Sequence, residues 1–219
     1  MCIRDSYNPM EGVSLPRKKT SDIRLLDKKE QLCLEEYVSK IHNSTTLGIT
    51  LAMTTGIRIG ELCALQWKDI DLEKRILTVS KTVQRIQLHE ADRKTKLIIT
   101  EPKSESSKRI IPIPEAVVAF LKEMRENDED FVVSGTSRVI EPRTMQYRFA
   151  KILKNVNLPS VHFHALRHMF ASNCIRLGFD IKALSEILGH SSVEITLNRY
   201  VHSSFEQKTE YMNRITICV

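Results

Sequence analysis

The chain has no apolar run approaching the roughly 20 residues needed to cross a bilayer, and its start shows no basic stretch followed by an apolar one of the kind that directs export. Membrane insertion and secretion are not expected; a cytoplasmic protein is. Cysteine is sparse and does not pair off. Cys2, Cys33, Cys63, Cys174 and Cys218 are odd in number, widely spaced and mostly set among apolar neighbours. That pattern argues against a disulfide framework or a zinc site and for reduced thiols in a core. There is no internal repeat. With 42% hydrophobic residues in 219, the chain can bury one ordinary core or two small ones without covalent or metal staples. Its 33 Lys and Arg against 27 Asp and Glu leave a formal charge of +6, which favours a polyanionic partner.

Periodicity predicts a mainly helical fold with one small antiparallel sheet of three strands. Residues 1–21 carry Pro9, Gly12, Pro16 and the basic cluster Arg17, Lys18, Lys19 without periodicity, and read as an extended linker. Amphipathic spacing predicts one helix over 27–40, a more buried one over 44–55 ending at Gly56, and a third starting near Ile57. β-Branched residues then cluster over 75–88 and 96–113, predicting three short strands, the last two joined through Ser104-Glu105-Ser106-Ser107. Pro114 suits the first turn of a helix to about Asn127, and Pro142 starts another to about Val156. The rest reads as short helices.

The polar residues inside these elements carry chemistry. Along 162–177, steps of 100° put Phe163, Leu166, Phe170, Cys174 and Leu177 on one stripe and His164, Arg167, His168 and Ala171 on another, so the polar group is expected to face away from the core. His164 and Arg167 can then face one ligand, and a guanidinium presents a planar fork matched to phosphate oxygens. In Leu188-Gly189-His190-Ser191-Ser192, Gly189 ends one helix and Ser191, with Glu194 in a capping box, begins another, leaving His190 in a tight corner. Tyr200 follows near the end of that helix. Upstream, Arg58 stands at a helix start, where open backbone amides favour an anion, with Glu61 one turn on. Lys103 precedes the serine-rich turn, where Lys108 and Arg109 compete for its role as a mobile cation. Singly, each residue also fits an ordinary reading: a solvated ion pair, a capping histidine, a packing tyrosine, a basic turn.

Together, Thr-Gly-Ile-Arg-Ile-Gly-Glu-Leu at 55–62, Pro-Lys-Ser at 102–104, His-Ala-Leu-Arg-His at 164–168, Leu-Gly-His-Ser-Ser at 188–192 and Asn-Arg-Tyr-Val-His at 198–202 resemble the tyrosine recombinase (phage integrase) family, in order and spacing, from about residue 8 to 210. The resemblance implies that family's catalytic-domain fold over 22–202, double-stranded DNA as partner, no cofactor or metal, and strand cleavage by Tyr200 through a 3′-phosphotyrosine. It implies Arg58 and Arg167 as clamps on the non-bridging oxygens, Lys103 as general acid, His164 as general base, His190 as a further donor, and Glu61 and His168 behind them. It also implies a preceding DNA-binding domain feeding the linker, and a tetramer on two DNA sites in which 203–219, with Phe205, Tyr211, Met212 and Ile215 at helical spacing, docks on a neighbour. Two positions depart from the family's habit, Ala165 where Asp is commoner and Gly60 where Ser is. Other readings are a metal site at His162, His164 and His168, an accessory DNA-binding protein that has lost its chemistry, and a topoisomerase.

Overall fold

The computed structural model describes residues 24–87, 95–102 and 104–200, with isolated helical positions at 209, 212 and 213. The expected linker at 1–21, Lys103 and most of 203–219 lie outside the described residues; of the expected docking face only Met212 is described, and it is exposed.

The helices start and stop for local reasons. Helix α1, Lys28–Lys40, is capped by Asp27, whose carboxylate accepts from the amides of Lys29 and Glu30 while Glu30 reaches back to the Asp27 amide. Asn43 caps α2, Ser44–Thr55, in the same reciprocal way with Thr46. Helix α2 is apolar on most sides and central, burying Leu47, Gly48, Ile49, Leu51 and Ala52, and it ends where Gly56 turns left-handed at φ 64°. A side chain at Gly56 would also run into Phe170, 2.5 Å from the β-carbon position. Helix α3, Ile59–Ala64, follows at once, with Arg58 in the capping position and its amide held by the Glu61 carboxylate at 3.0 Å.

The β region departs from expectation. Strands β1 (Ile70–Asp71), β2 (Ile76–Val79), β3 (Thr82–Gln87), β4 (Thr95–Thr100) and β5 (Arg109–Pro112) form two antiparallel sheets, ordered β1-β2-β5 and β3-β4. The stretch expected as one strand breaks at Ser80-Lys81. Strands β4 and β5, expected to be neighbours across the serine turn, pair instead with β3 and β2, from Thr82↔Thr100 to Gln87↔Thr95 and from Ile76↔Pro112 to Val79↔Arg109. Two long arms thus run antiparallel while residues 101–102 and 104–108 stand outside the pairing of one of them, opposite only Ser80 and Lys81. The serine segment is a turn, closed by the Ser107 amide on the Ser104 carbonyl at 3.0 Å, but it tops this excursion rather than a hairpin.

Helix α4, Glu115–Met124, begins just after Pro114 and stops short of Asn127, and α5 spans Pro142–Asn155. Helices α6 (His164–Arg176), α7 (Ile181–Leu188) and α8 (Val193–Tyr200) follow. Here the helical wheel misled. Arg167 and His168, expected on an open face, are buried, and Leu177, expected inside, is 77% exposed. Helices α2, α7 and α8 all pack on α6, and residues 165–169 are buried in succession, so its first turns have no single inward face, while Leu177 stands at the C-cap, past the end of the helix.

The main core spans α1 to α6 around Trp67, Leu62 and Phe149, the last edge-on to Phe163 at 5.3 Å. A smaller cluster of Ala171, Cys174, Leu184 and Leu188 joins α6 to α7. Cys33, Cys63 and Cys174 are free thiols; burial pushes Cys63 up to about 12 and Cys174 to about 11. Among the described residues, no helix is long and apolar enough to cross a membrane, and no group of three or more His, Cys, Asp or Glu is placed to hold a metal ion.

Candidate active site

The site is organised by the end of α7. Gly189 adopts φ 65° and turns the chain out of the helix, with its own amide and that of His190 closing back on Ser185 and Glu186. The last carbonyls of the helix, which carry the negative end of its dipole, are thereby left facing outward. Three guanidinium groups from three other elements take three successive ones. Arg109 Nε donates to the Ile187 carbonyl at 2.6 Å, Arg167 Nη2 to Leu188 at 2.6 Å, and Arg58 Nη2 to Gly189 at 2.8 Å. Arg167 Nη1 also donates to the Gly56 carbonyl at 2.8 Å, so one buried side chain ties together the left-handed ends of α2 and α7.

Glu61 sits inside this cluster with 3% of its side chain exposed. Its Oε1 accepts from Arg58 Nη1 at 2.8 Å and Arg109 Nη1 at 3.1 Å, and its Oε2 accepts from Arg109 Nη2 at 2.8 Å. Burial pushes this carboxyl up, but the Arg109 and Arg58 guanidiniums outweigh it and hold it below the ordinary glutamate value. Three cations against one carboxylate leave two positive charges among these four side chains. Arg58 remains 34% exposed, so the positive charge opens to solvent at its edge.

The other expected site residues fall around this centre unevenly. His190, next in sequence after the α7 turn, is half-buried, with Nδ1 2.8 Å from the hydroxyl of the fully buried Thr196. Helix α8 starts after Ser192, whose hydroxyl accepts from the Glu194 amide at 3.1 Å, one residue later than the expected cap at Ser191. Tyr200 is the last residue of α8, four positions and one turn beyond Thr196; its side chain lies outside the described residues. His164 is exposed on the first turn of α6, packing edge-on to the buried His168 at 4.8 Å between ring centres. Lys103 lies outside the described residues; of the serine turn that follows it in sequence, the Ser106 carbonyl is 3.0 Å from where a Gly189 β-carbon would stand.

Sequence reasoning missed two members. In the sequence Arg109 reads as a mobile cation competing with Lys103, yet its side chain is 6% exposed. The signal was there in the period of two, since Arg109 shares a strand face with the buried Ile111. Thr196 carried no signal beyond lying six residues after His190.

The model of the phage integrase family matches residues 24–207, most of the chain. The chain belongs to the phage integrase family. A XerC-like tyrosine recombinase of Caldanaerobacter subterraneus is 34% identical over 178 residues, 73% of this chain and 46% of that protein. The transposase of transposon Tn916 from Enterococcus faecalis is 28% identical over 207 residues, 86% of this chain and 50% of that protein. The chain therefore spans about half the length of the curated relatives it matches. Among solved structures, the Tn1549 transposon integrase in complex with transposon right-end DNA superposes with a TM-score of 0.71 at 26% identity, covering 90% of this chain and 67% of that one. The XerA recombinase gives 0.62 at 26% identity, covering 89% and 66%. In this member of the family, Gly60 has a local reason: a β-carbon there would lie 2.6 Å from Thr82 Oγ1 and 2.9 Å from the Val83 carbonyl, so β3 packs where a serine would need room.

Proposed function

We propose that the chain is the catalytic part of a site-specific DNA recombinase that cuts and rejoins strands through a 3′-phosphotyrosine at Tyr200. The observation that carries this is the convergence of Arg58 and Arg167 on adjacent carbonyls of one turn, in a cluster with two uncompensated positive charges. A phosphodiester attacked by a phenolate passes through a phosphorane-like state in which the nucleophile's negative charge moves onto the non-bridging oxygens, adding to the one the diester already carries. Fixed guanidinium donors stabilise that added charge without reorganising, which is where such sites gain most of their rate.

In this reading Tyr200 attacks phosphorus, Arg58 and Arg167 hold the two non-bridging oxygens, and His190, steadied by Thr196, donates to one of them. His164 takes the phenolic proton, His168 backs its ring, and Lys103 protonates the departing 5′ oxygen. Glu61 orients Arg58. The phosphotyrosine keeps the energy of the broken ester, so a 5′ hydroxyl from another strand reverses the step with no cofactor. Residues 22–202 form the catalytic unit, 1–21 link it to a DNA-gripping domain, and 203–219 dock on a neighbour in a tetramer on two DNA sites, in the cytoplasm. The solved DNA complexes of related integrases support duplex DNA as the partner.

Incubation with nicked duplexes selected from a randomised pool tests the reading. A denaturation-resistant protein–DNA adduct that survives EDTA and disappears in Tyr200→Phe is expected. Duplex binding with no adduct would favour an accessory protein of the same fold, and relaxation of plasmid without paired sites would favour a topoisomerase.

A further inference from the structure

Arg109 belongs to none of the roles above, yet its contacts join Glu61, the serine turn and the end of α7. It is the first residue of β5, where the chain returns from the 101–108 excursion. Its guanidinium grips both Glu61 oxygens, at 2.8 and 3.1 Å, and also bonds the Ser107 carbonyl at 2.9 Å and the Ile187 carbonyl at 2.6 Å. The fit is close on its flank as well: a β-carbon on Gly189 would stand 3.0 Å from both Arg109 Cδ and Nη1. One buried side chain thus joins the base of the excursion, the start of α3 and the end of α7.

We infer that Arg109 is a positioning residue that holds Glu61 so that Arg58 faces the phosphate, and that fixes the α7 turn beneath it. Two physical points carry this, and both rest on the recombinase reading. First, Arg58 and Glu61 alone would sum to zero charge. Arg109 supplies the second cation, sharing Glu61 Oε1 with Arg58 and taking Oε2 alone, so that the three side chains together keep one positive charge for an anion at the exposed edge of Arg58. Second, a buried Arg–Glu pair holds elements together no better than an apolar pair of similar size, because desolvation of both ions offsets most of their attraction. What the fork does, and an apolar contact or a lysine does not, is set the direction of four acceptors at once. Orientation matters here because a displacement of about 1 Å in a catalytic donor can cost on the order of 10²-fold in rate.

The test compares the wild type, Arg109→Gln and Arg109→Lys for single-turnover cleavage of a pool-selected nicked duplex. Each is run with an ordinary scissile phosphate and with a methylphosphonate, in which a methyl group replaces one non-bridging oxygen and removes the charge Arg58 meets. Arg109→Gln should cleave the ordinary phosphate about 10- to 100-fold more slowly than wild type, and the deficit should shrink to about threefold or less on the methylphosphonate. Arg109→Lys, which restores charge without the fork, should lie between, and its folded state provides the comparison if Arg109→Gln does not fold. An unimpaired Arg109→Gln, or a loss of equal size on both substrates in both variants, overturns the inference and leaves Arg109 as a strut. A wild type that forms no adduct on any selected duplex overturns the recombinase reading and this inference with it.

Discussion

Glu61→Gln is the most informative change to make for stability. The carboxylate is 3% exposed and faces Arg109, itself 6% exposed, and Arg58 at 34%. Glutamine keeps the shape and one acceptor oxygen but leaves Arg109 as a buried cation without its counter-charge. Removing one partner of a buried ion pair costs about 3–5 kcal/mol, a large share of the roughly 5–15 kcal/mol that holds a domain folded. For a chain of this size each kcal/mol moves the midpoint by about 2–4 °C, so a fall of about 6–20 °C is expected in thermal unfolding. The effect has a pH signature. The Glu61 carboxyl is held below its ordinary value near 4.5 when folded, so its contribution is fully present above that pH and is lost as pH falls through the lowered folded value. The gap between wild type and Glu61→Gln should stay constant from neutral pH to about 5 and narrow below about 4.5. Urea unfolding at a series of pH values reads both quantities. A variant within about 1 kcal/mol of wild type at pH 7, with a parallel pH curve, would refute the buried-pair reasoning.

Three further outcomes are expected. Gly60→Ser should lower stability by about 1–3 kcal/mol, because its β-carbon would press on the Val83 carbonyl at 2.9 Å; urea unfolding checks this. Thr196→Val removes the hydroxyl on His190 Nδ1 and should slow adduct formation by about tenfold while leaving duplex affinity in a gel-shift assay unchanged. Cys63 and Cys174, with thiols pushed up to about 12 and about 11, should resist a disulfide reagent at pH 8 in the folded protein and react within seconds in denaturant, since the thiolate is the reactive form.

Much of the scaffold was readable because local chemistry alone decides it. Helix α2 runs over Ser44–Thr55 and ends at Gly56 as expected, since its Asn43 cap and left-handed glycine are signals carried by single residues. The motif residues Arg58, Arg167 and His190 were readable for another reason: together they match a family pattern, and the fold brings them to one turn. What stayed hidden depends on pairing over distance. Strands β4 and β5 follow one another with a turn between them, and nothing local says that each will pair with an earlier strand instead. Arg167 looked like a surface residue because a helical wheel assumes one buried side, whereas α6 is packed on several. Arg109 looked like part of a basic turn because its partners, Glu61 and the Ile187 carbonyl, lie 48 and 78 residues away.

The central claim concerns one covalent bond, and mass spectrometry of the trapped adduct tests it most directly. After nuclease and trypsin digestion, the account predicts a nucleotide attached through a 3′ phosphate to Tyr200, in the peptide spanning 200–208. A nucleotide on any other residue, or a 5′ linkage, would contradict it.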